Sequence, residues 1–251
     1  MRPIPSGVGY TYQEEMPSLL VPQGERLLME TLHALLLHPY PGQIDEAPRQ
    51  LGLLIERLPA LPELLVARFF RSQGEAHTYL ILTTWDAEAG RKSETDDPLE
   101  SAANDLALQR PDRAYRLTLP GLMQGETEEW FLRYTWGYSR SGLEARHAIV
   151  LVVSGVTGQQ GYMRKQWIAG LRTLATEAPV GQIFVARSIP QAPAEDTAPL
   201  FLCYLGCPSD AEVQAVRVQP IFEEIVTWLS RFAQVRSFDF APLFPDYRAP
   251  A

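Results

Sequence analysis

The sequence is poor in the residues that build metal centres and disulfide frameworks: 251 residues carry two cysteines and four histidines. Cys203 and Cys207 lie four apart in one apolar run. That spacing puts both on one strand face, too far apart to bridge, so they are expected as reduced, buried thiols, and no metal is expected. No apolar stretch approaches the roughly 20 residues of a membrane helix, and MRPIPSGVGYTYQEEMPSLL lacks a charged-then-apolar signal pattern. The expectation is a cytoplasmic protein with no membrane partner. Positive charge is in deficit, 22 Lys and Arg against 30 Asp and Glu, for a net charge of −8; the bulk field repels polyanions and argues against nucleic acid. There is no Gly-rich phosphate loop, no nucleophile elbow and no paired metal-ligand motif. No cofactor is expected.

What is present is an alternation of strand and helix patterns, with 46% hydrophobic residues, enough for a core at this length. Residues 1–25 read as an irregular arm in which Tyr10 and Tyr12 could add an edge strand. Arg26–Leu37 is read as a strand against its local helical propensity. Gln43–Leu58 is helical, with Leu51, Leu54, Ile55 and Leu58 on one face. Leu64–Phe70 and Thr78–Thr84 are strands, and Pro98 after Asp96-Asp97 starts a helix running to about Gln109. Arg113–Leu119 alternates as a strand, and Glu128–Tyr138 is an extra, aromatic-rich strand. The order then recurs. Ala145–Val153 is a strand, Tyr162–Glu177 a helix with Trp167, Leu171 and Leu174 inward, and Gln182–Ile189 and Leu200–Leu205 strands. Ala211–Phe232 is helical with a break near Pro220, Val235–Phe240 is the last strand, and the tail APLFPDYRAPA is a loop.

The recurrence extends to residues. Val66-Ala67-Arg68 matches Val185-Ala186-Arg187 at an offset of 119, while Trp85 falls on Cys207, Pro98 on Pro220 and Pro120 on Pro242 at an offset of 122. A longer hairpin loop absorbs the difference. Each half therefore reads β-α-β-β-α-β, a ferredoxin-like unit, the first over 26–140 and the second over 144–251. Such a unit leaves one sheet face bare, and two units bury those faces sheet to sheet in an α+β barrel.

At Trp85, the small acidic turn after it and the Pro-Leu-Glu-Ser-Ala-Ala-Asn helix, the chain resembles the antibiotic biosynthesis monooxygenase (ABM) domain of the dimeric α+β barrel superfamily. The Pro41-Gly42 turn and Asp45-Glu46 after the first strand fit the same pattern. The resemblance covers about residues 26–120 well and 145–242 chiefly through the repeat. It implies a cavity between sheet and helices in each unit, and members that include cofactor-free quinol and polyketide monooxygenases, heme-degrading enzymes and proteins of no known activity. By that resemblance Trp85 stands where these oxygenases keep a Trp. His33 lies near the place of a first-strand Asn, and Asn104 occupies the position of the heme-ligating His, which argues against heme degradation.

The candidate catalytic residues are therefore His33 as base, with Trp85 and Asn104 orienting a substrate; the plain alternative for each is packing or a simple hydrogen bond. Arg68 and Arg187 recur in both halves and read as structural, yet Arg68 is also a candidate substrate-binding residue with Tyr134 and Trp136. Trp130, Tyr134, Trp136 and Tyr138 are evenly spaced and expected on one strand face, as an interface or a wall for a planar ligand. The acidic cluster Asp86, Glu88, Glu94, Asp96 and Asp97 reads as a solvated turn. The sequence thus supports a cofactor-independent monooxygenase acting on a small aromatic molecule, or a non-catalytic ligand-binding or scaffold protein of the same fold, with a homodimer as a further expectation.

Overall fold

The strands His147–Ser154 and Phe201–Cys207 are buried on both faces, and this explains their continuous apolar runs in the sequence. The computed structural model describes residues 30–61, 64–74, 77–86, 125–155, 160–189 and 200–249. The proposed strand at Tyr10–Tyr12, the helix from Pro98, the strand Arg113–Leu119 and Asn104 all lie outside the described residues.

The first strand, β1 (Glu30–Pro39), forms where local propensity favours helix. It is a strand because alternate residues serve two cores. Leu32, Ala34 and Leu36 face one, and Leu35 and Leu37 face the other. A short helix α1 (Ala47–Ile55) follows, narrower than the sequence pattern suggested because single 3-10 turns at Pro41–Gln43 and Leu58–Ala60 flank it. Then come β2 (Leu64–Ser72), β3 (Tyr79–Asp86), β4 (Gly125–Ser139) and β5 (His147–Ser154). Helix α2 (Gln160–Glu177) leads to β6 (Gln182–Ser188) and β7 (Phe201–Cys207). Helices α3 (Asp210–Arg217) and α4 (Pro220–Leu229) are divided before Pro220, and β8 (Gln234–Pro242) and β9 (Tyr247–Arg248) close the chain. Among the described residues no helix is long and apolar enough to cross a membrane.

All strand pairs are antiparallel. β1–β4 pair in the order β4-β1-β3-β2, and β5–β8 in the order β8-β5-β7-β6. The two groups join through β4–β6 and β2–β8 into a closed eight-stranded barrel. Its interior is filled by side chains from both halves, among them Leu32, Leu82, Phe70, Tyr204 and Phe240, with Phe184 stacked on Tyr204 at 4.8 Å between ring centroids. Outside the wall, α1 covers Leu35, Tyr79 and Ile81, and α2 to α4 cover Ile149, Leu151 and Leu205. On α2 the inward residues are Met163, Trp167, Leu171 and Leu174, as the helical spacing requires. Cys203 and Cys207 are free and buried on the α2-to-α4 side.

Three expectations are corrected. The tail is not all loop: β9 pairs with β2 at Val66 and Ala67, and Leu243, Phe244 and Tyr247 pack on the α1 side of the first half. The aromatics of β4 do not share a face. A register shift between Tyr134 and Trp136 turns the strand, so Trp130 and Tyr134 pack toward the barrel interior while Trp136 and Tyr138 pack against the core under α2. The aromatic-rich strand is not an extra one: Leu132 pairs with Leu32 as Phe240 pairs with Ala148, so β4 lies inside the barrel wall in the place that β8 takes in the second half, while Pro120 lies outside the described residues.

Candidate functional site

His33 is the one histidine carried by β1 on the face that looks away from the barrel interior. Its position between Thr83 on β3 and Phe131 on β4 follows directly from strand register. The ring is 1% exposed and stacks on Phe131 with centroids 4.9 Å apart. Its Nε2 lies 3.1 Å from Glu129 Oε1, and its Nδ1 lies 3.4 Å from Thr83 Oγ1. Thr83 Oγ1 in turn accepts a hydrogen bond of 2.9 Å from Trp85 Nε1.

Chemistry orders the protons along this chain. An indole nitrogen only donates and a carboxylate only accepts. Trp85 therefore donates to Thr83 and His33 Nε2–H donates to Glu129; with that single proton on the ring, the Thr83 hydroxyl donates to Nδ1. The chain can hold one more proton as an imidazolium–carboxylate pair if the Thr83 hydroxyl turns from donor to acceptor, a change open to a hydroxyl and closed to an amide or indole. Thr83 is fully buried and its oxygen carries the indole contact, so it orients His33 and is no nucleophile. Glu129 is the solvent-reaching member, with its side chain 32% exposed.

The second half builds the same place differently. Trp85 pairs with Thr31 and Cys207 with His147, so the positions of His33, Thr83 and Trp85 are held by Ile149, Leu205 and Cys207. All three are fully buried in an apolar core. The fold is satisfied by aliphatic side chains there; the polar chain in the first half is an addition to it.

No protein-family profile matches the sequence, and no curated protein matches it. Solved structures do. An anthrone oxidase-like protein superposes with a TM-score of 0.63 over 88% of this chain and 94% of its own, at 14% identity. A candidate monooxygenase from Fusobacterium nucleatum gives 0.59 over 88% and 99%, at 8% identity. Another from Lactobacillus acidophilus gives 0.54 over 86% and 95%, also at 8%. The fold is the dimeric α+β barrel. In this barrel His33 and Trp85 stand on the wall's outer side, the side to which the sequence resemblance assigned the cavity.

The remaining site candidates are dispersed by the same barrel. Arg68 lies on the interior side of β2. Its Nη1 donates to Gln182 Oε1 at 2.8 Å, its Nε to Asp246 Oδ2 at 3.1 Å, and its guanidinium sits 5.5 Å from the Tyr204 ring centroid. Burial works against its charge, and the electrostatic pull of Tyr204, Asp246 and Tyr134 outweighs it. The same burial pushes the Tyr204 hydroxyl up to about 12. Tyr134 shares a hydrogen bond of 3.0 Å with Thr84 on the interior side, and Trp136 belongs to the second half's core. Arg68, Tyr134 and Trp136 therefore do not converge on His33. Arg187, paired with Arg133 across the seam, is exposed on β6.

Glu129 and Thr83 went unnoticed in the sequence. Both lie among ordinary strand residues, and only the pairing register of β1 with β3 and β4 brings them to His33. The described residues contain no group of three or more His, Cys, Asp or Glu arranged to hold a metal ion.

Proposed function

We propose that the first half of the chain is the seat of a cofactor-independent, monooxygenase-type oxidation of an electron-rich aromatic molecule such as a phenol, quinol or polyketide-like ring. The observation that carries this reading is the ordered Trp85–Thr83–His33–Glu129 chain in a place where the second half uses only apolar residues. Glu129 meets the substrate hydroxyl at the surface and takes its proton. His33 shares that proton as imidazolium, with Thr83 as the switchable partner of Nδ1. The resulting electron-rich anion reacts with dioxygen; one oxygen atom enters the product as a carbonyl and the other leaves as water. The names borne by structural neighbours, at identities that establish the fold alone, favour this class of reaction.

The organisation we infer beneath it is a tandem pair of ferredoxin-like units, 26–140 and 144–251, in one chain. The identical strand orders of β1–β4 and β5–β8 support it.

The test is oxygen uptake with a panel of hydroquinones and anthrone-like compounds. The wild type consumes oxygen with at least one of them, and His33→Ala slows turnover by about 100-fold or more. Equal rates would remove His33 from the chemistry. The near-complete burial of His33, with both nitrogens engaged, favours a second reading: a ligand-binding protein in which the chain only shapes the pocket. Binding of the same compounds without oxygen consumption would select it.

A further inference from the structure

The outer surface formed by α2 and α4 exposes a run of aromatic side chains. Tyr162 on α2 is 52% exposed, and Phe232, just beyond α4, is 36% exposed. Trp228 bridges them, with ring centroids 6.5 Å from Tyr162 and 5.0 Å from Phe232. A shallow depression of about 640 Å³ runs beside this ladder, lined by Gln166, Ile225 and Trp228 among others. Single exposed apolar residues need no explanation; a continuous aromatic strip does.

Charge is sorted across the same surface. Lys165 and Arg172 are exposed on α2, seven residues apart and hence on one flank of the helix. Glu223 and Glu224 are exposed on α4. None of the four takes part in an ion pair within the described structure. Arg231 after α4 and Glu177 at the end of α2 are the minority charges of each helix.

We propose that this surface is a two-fold interface between two copies of the chain. A two-fold contact presents the same patch from both sides, so it is favourable only if the patch complements itself. This one does. Rotation about an axis through the aromatic strip lays α2 of one copy on α4 of the other, and the basic flank meets the acidic flank twice. Tyr162, Trp228 and Phe232 lie at the centre, where buried aromatics contribute most. A partner of one charge sign would satisfy one helix and oppose the other.

The experiment measures mass by light scattering after gel filtration at about 100 µM. The wild type elutes as a dimer. The doubly substituted K165E/R172E chain and the E223K/E224K chain each elute as monomers, because two flanks of like sign now face each other. An equimolar mixture of these two variants forms a heterodimer, and the chain carrying all four substitutions returns to a homodimer. A monomeric wild type would overturn the proposal and leave the surface to a different protein or to a small ligand. Persistence of the dimer in either charge-reversed variant would overturn it as well. All four positions are exposed, so the fold tolerates the changes.

Discussion

Arg236 on β8 and Glu128 on β4 meet across the barrel, Nη1 at 2.6 Å and Nη2 at 2.7 Å from the two carboxylate oxygens. The two strands are not neighbours; they stand on opposite sides of the wall. This pair ties one half of the chain to the other from within, with His38 3.7 Å from the same carboxylate. The hydrogen bond from Arg236 holds the Glu128 carboxyl below its usual range despite partial burial, and the charges of Arg236 and His38 add to the effect. A carboxyl depressed in the folded state contributes stability above its unfolded value of about 4.3 and loses it as pH falls through the folded value. Glu128→Gln is therefore expected to cost about 1–3 kcal/mol at pH 7 by urea unfolding. The gap to wild type should close progressively below about pH 4. A constant gap across pH would show that the carboxylate charge is irrelevant.

The two halves predict unequal responses to a swap of their corresponding residues. His33→Ile places in β1 the residue that β5 carries at Ile149, and costs about 1–2 kcal/mol, chiefly because the Thr83 hydroxyl loses its acceptor. Ile149→His buries an imidazole in an apolar core with no partner, and should cost about 3–5 kcal/mol. Thermal unfolding of the two variants checks the order; comparable losses would mean that His33 is as integral to the fold as Ile149.

The proton order in the first half is visible to ¹⁵N spectroscopy without any substrate. His33 should carry a proton on Nε2 in the wild type, facing the Glu129 carboxylate. Thr83→Val removes the partner of Nδ1, and Glu129→Gln, which keeps the shape, removes the obligate acceptor at Nε2; each should shift the tautomer balance. Spectra unchanged by both substitutions would refute the chain as drawn.

The seam between the halves is uneven. β4 pairs with β6 from Leu132–Ser188 to Ser139–Gln182, whereas β2 pairs with β8 only from Phe70–Pro242 to Ser72–Phe240. Beyond that point the tail takes over. Leu243 N donates to Phe69 O at 2.8 Å, Phe244 packs edge-on to Phe69 at 5.9 Å, and Asp246 pairs with Arg68. Ending the chain after Pro242 should cost about 3–5 kcal/mol. Amide exchange should rise in β2 and leave the β4–β6 seam protected; uniform exchange would show that the tail does not staple the seam.

Burial raises both thiols, Cys207 to about 12 with Glu212 and Asp239 adding to the effect, and Cys203 further still. At pH 8 neither should react with an aromatic disulfide reagent in the folded protein, and both should react on unfolding. Rapid labelling of the native chain would contradict this.

Some of this was legible in the residues. The strand at β1 was recoverable through recurrence of the whole pattern, although its Leu-rich run reads locally as helix. Trp167, Leu171 and Leu174 announced the inner face of α2 by spacing alone. Trp85 and His33 could be singled out through the resemblance to the ABM domain, which sets Trp85 on a family Trp and His33 near a first-strand Asn. The split of the β4 aromatics between two cores was not legible, because one extra residue at a bulge reverses alternation without leaving a mark in composition.

By itself, then, the sequence determined the succession of most of the described elements and the inward faces of the helices, because these depend on periodicities within single segments. The tertiary structure alone decided which residues meet: that Glu129 and Thr83 complete His33, that Arg68, Tyr134 and Trp136 go elsewhere, and that the tail extends the β2–β8 seam. Those contacts join residues tens to hundreds of positions apart. Their partners are fixed by strand register and barrel closure, quantities that belong to the whole sheet and to no segment of it.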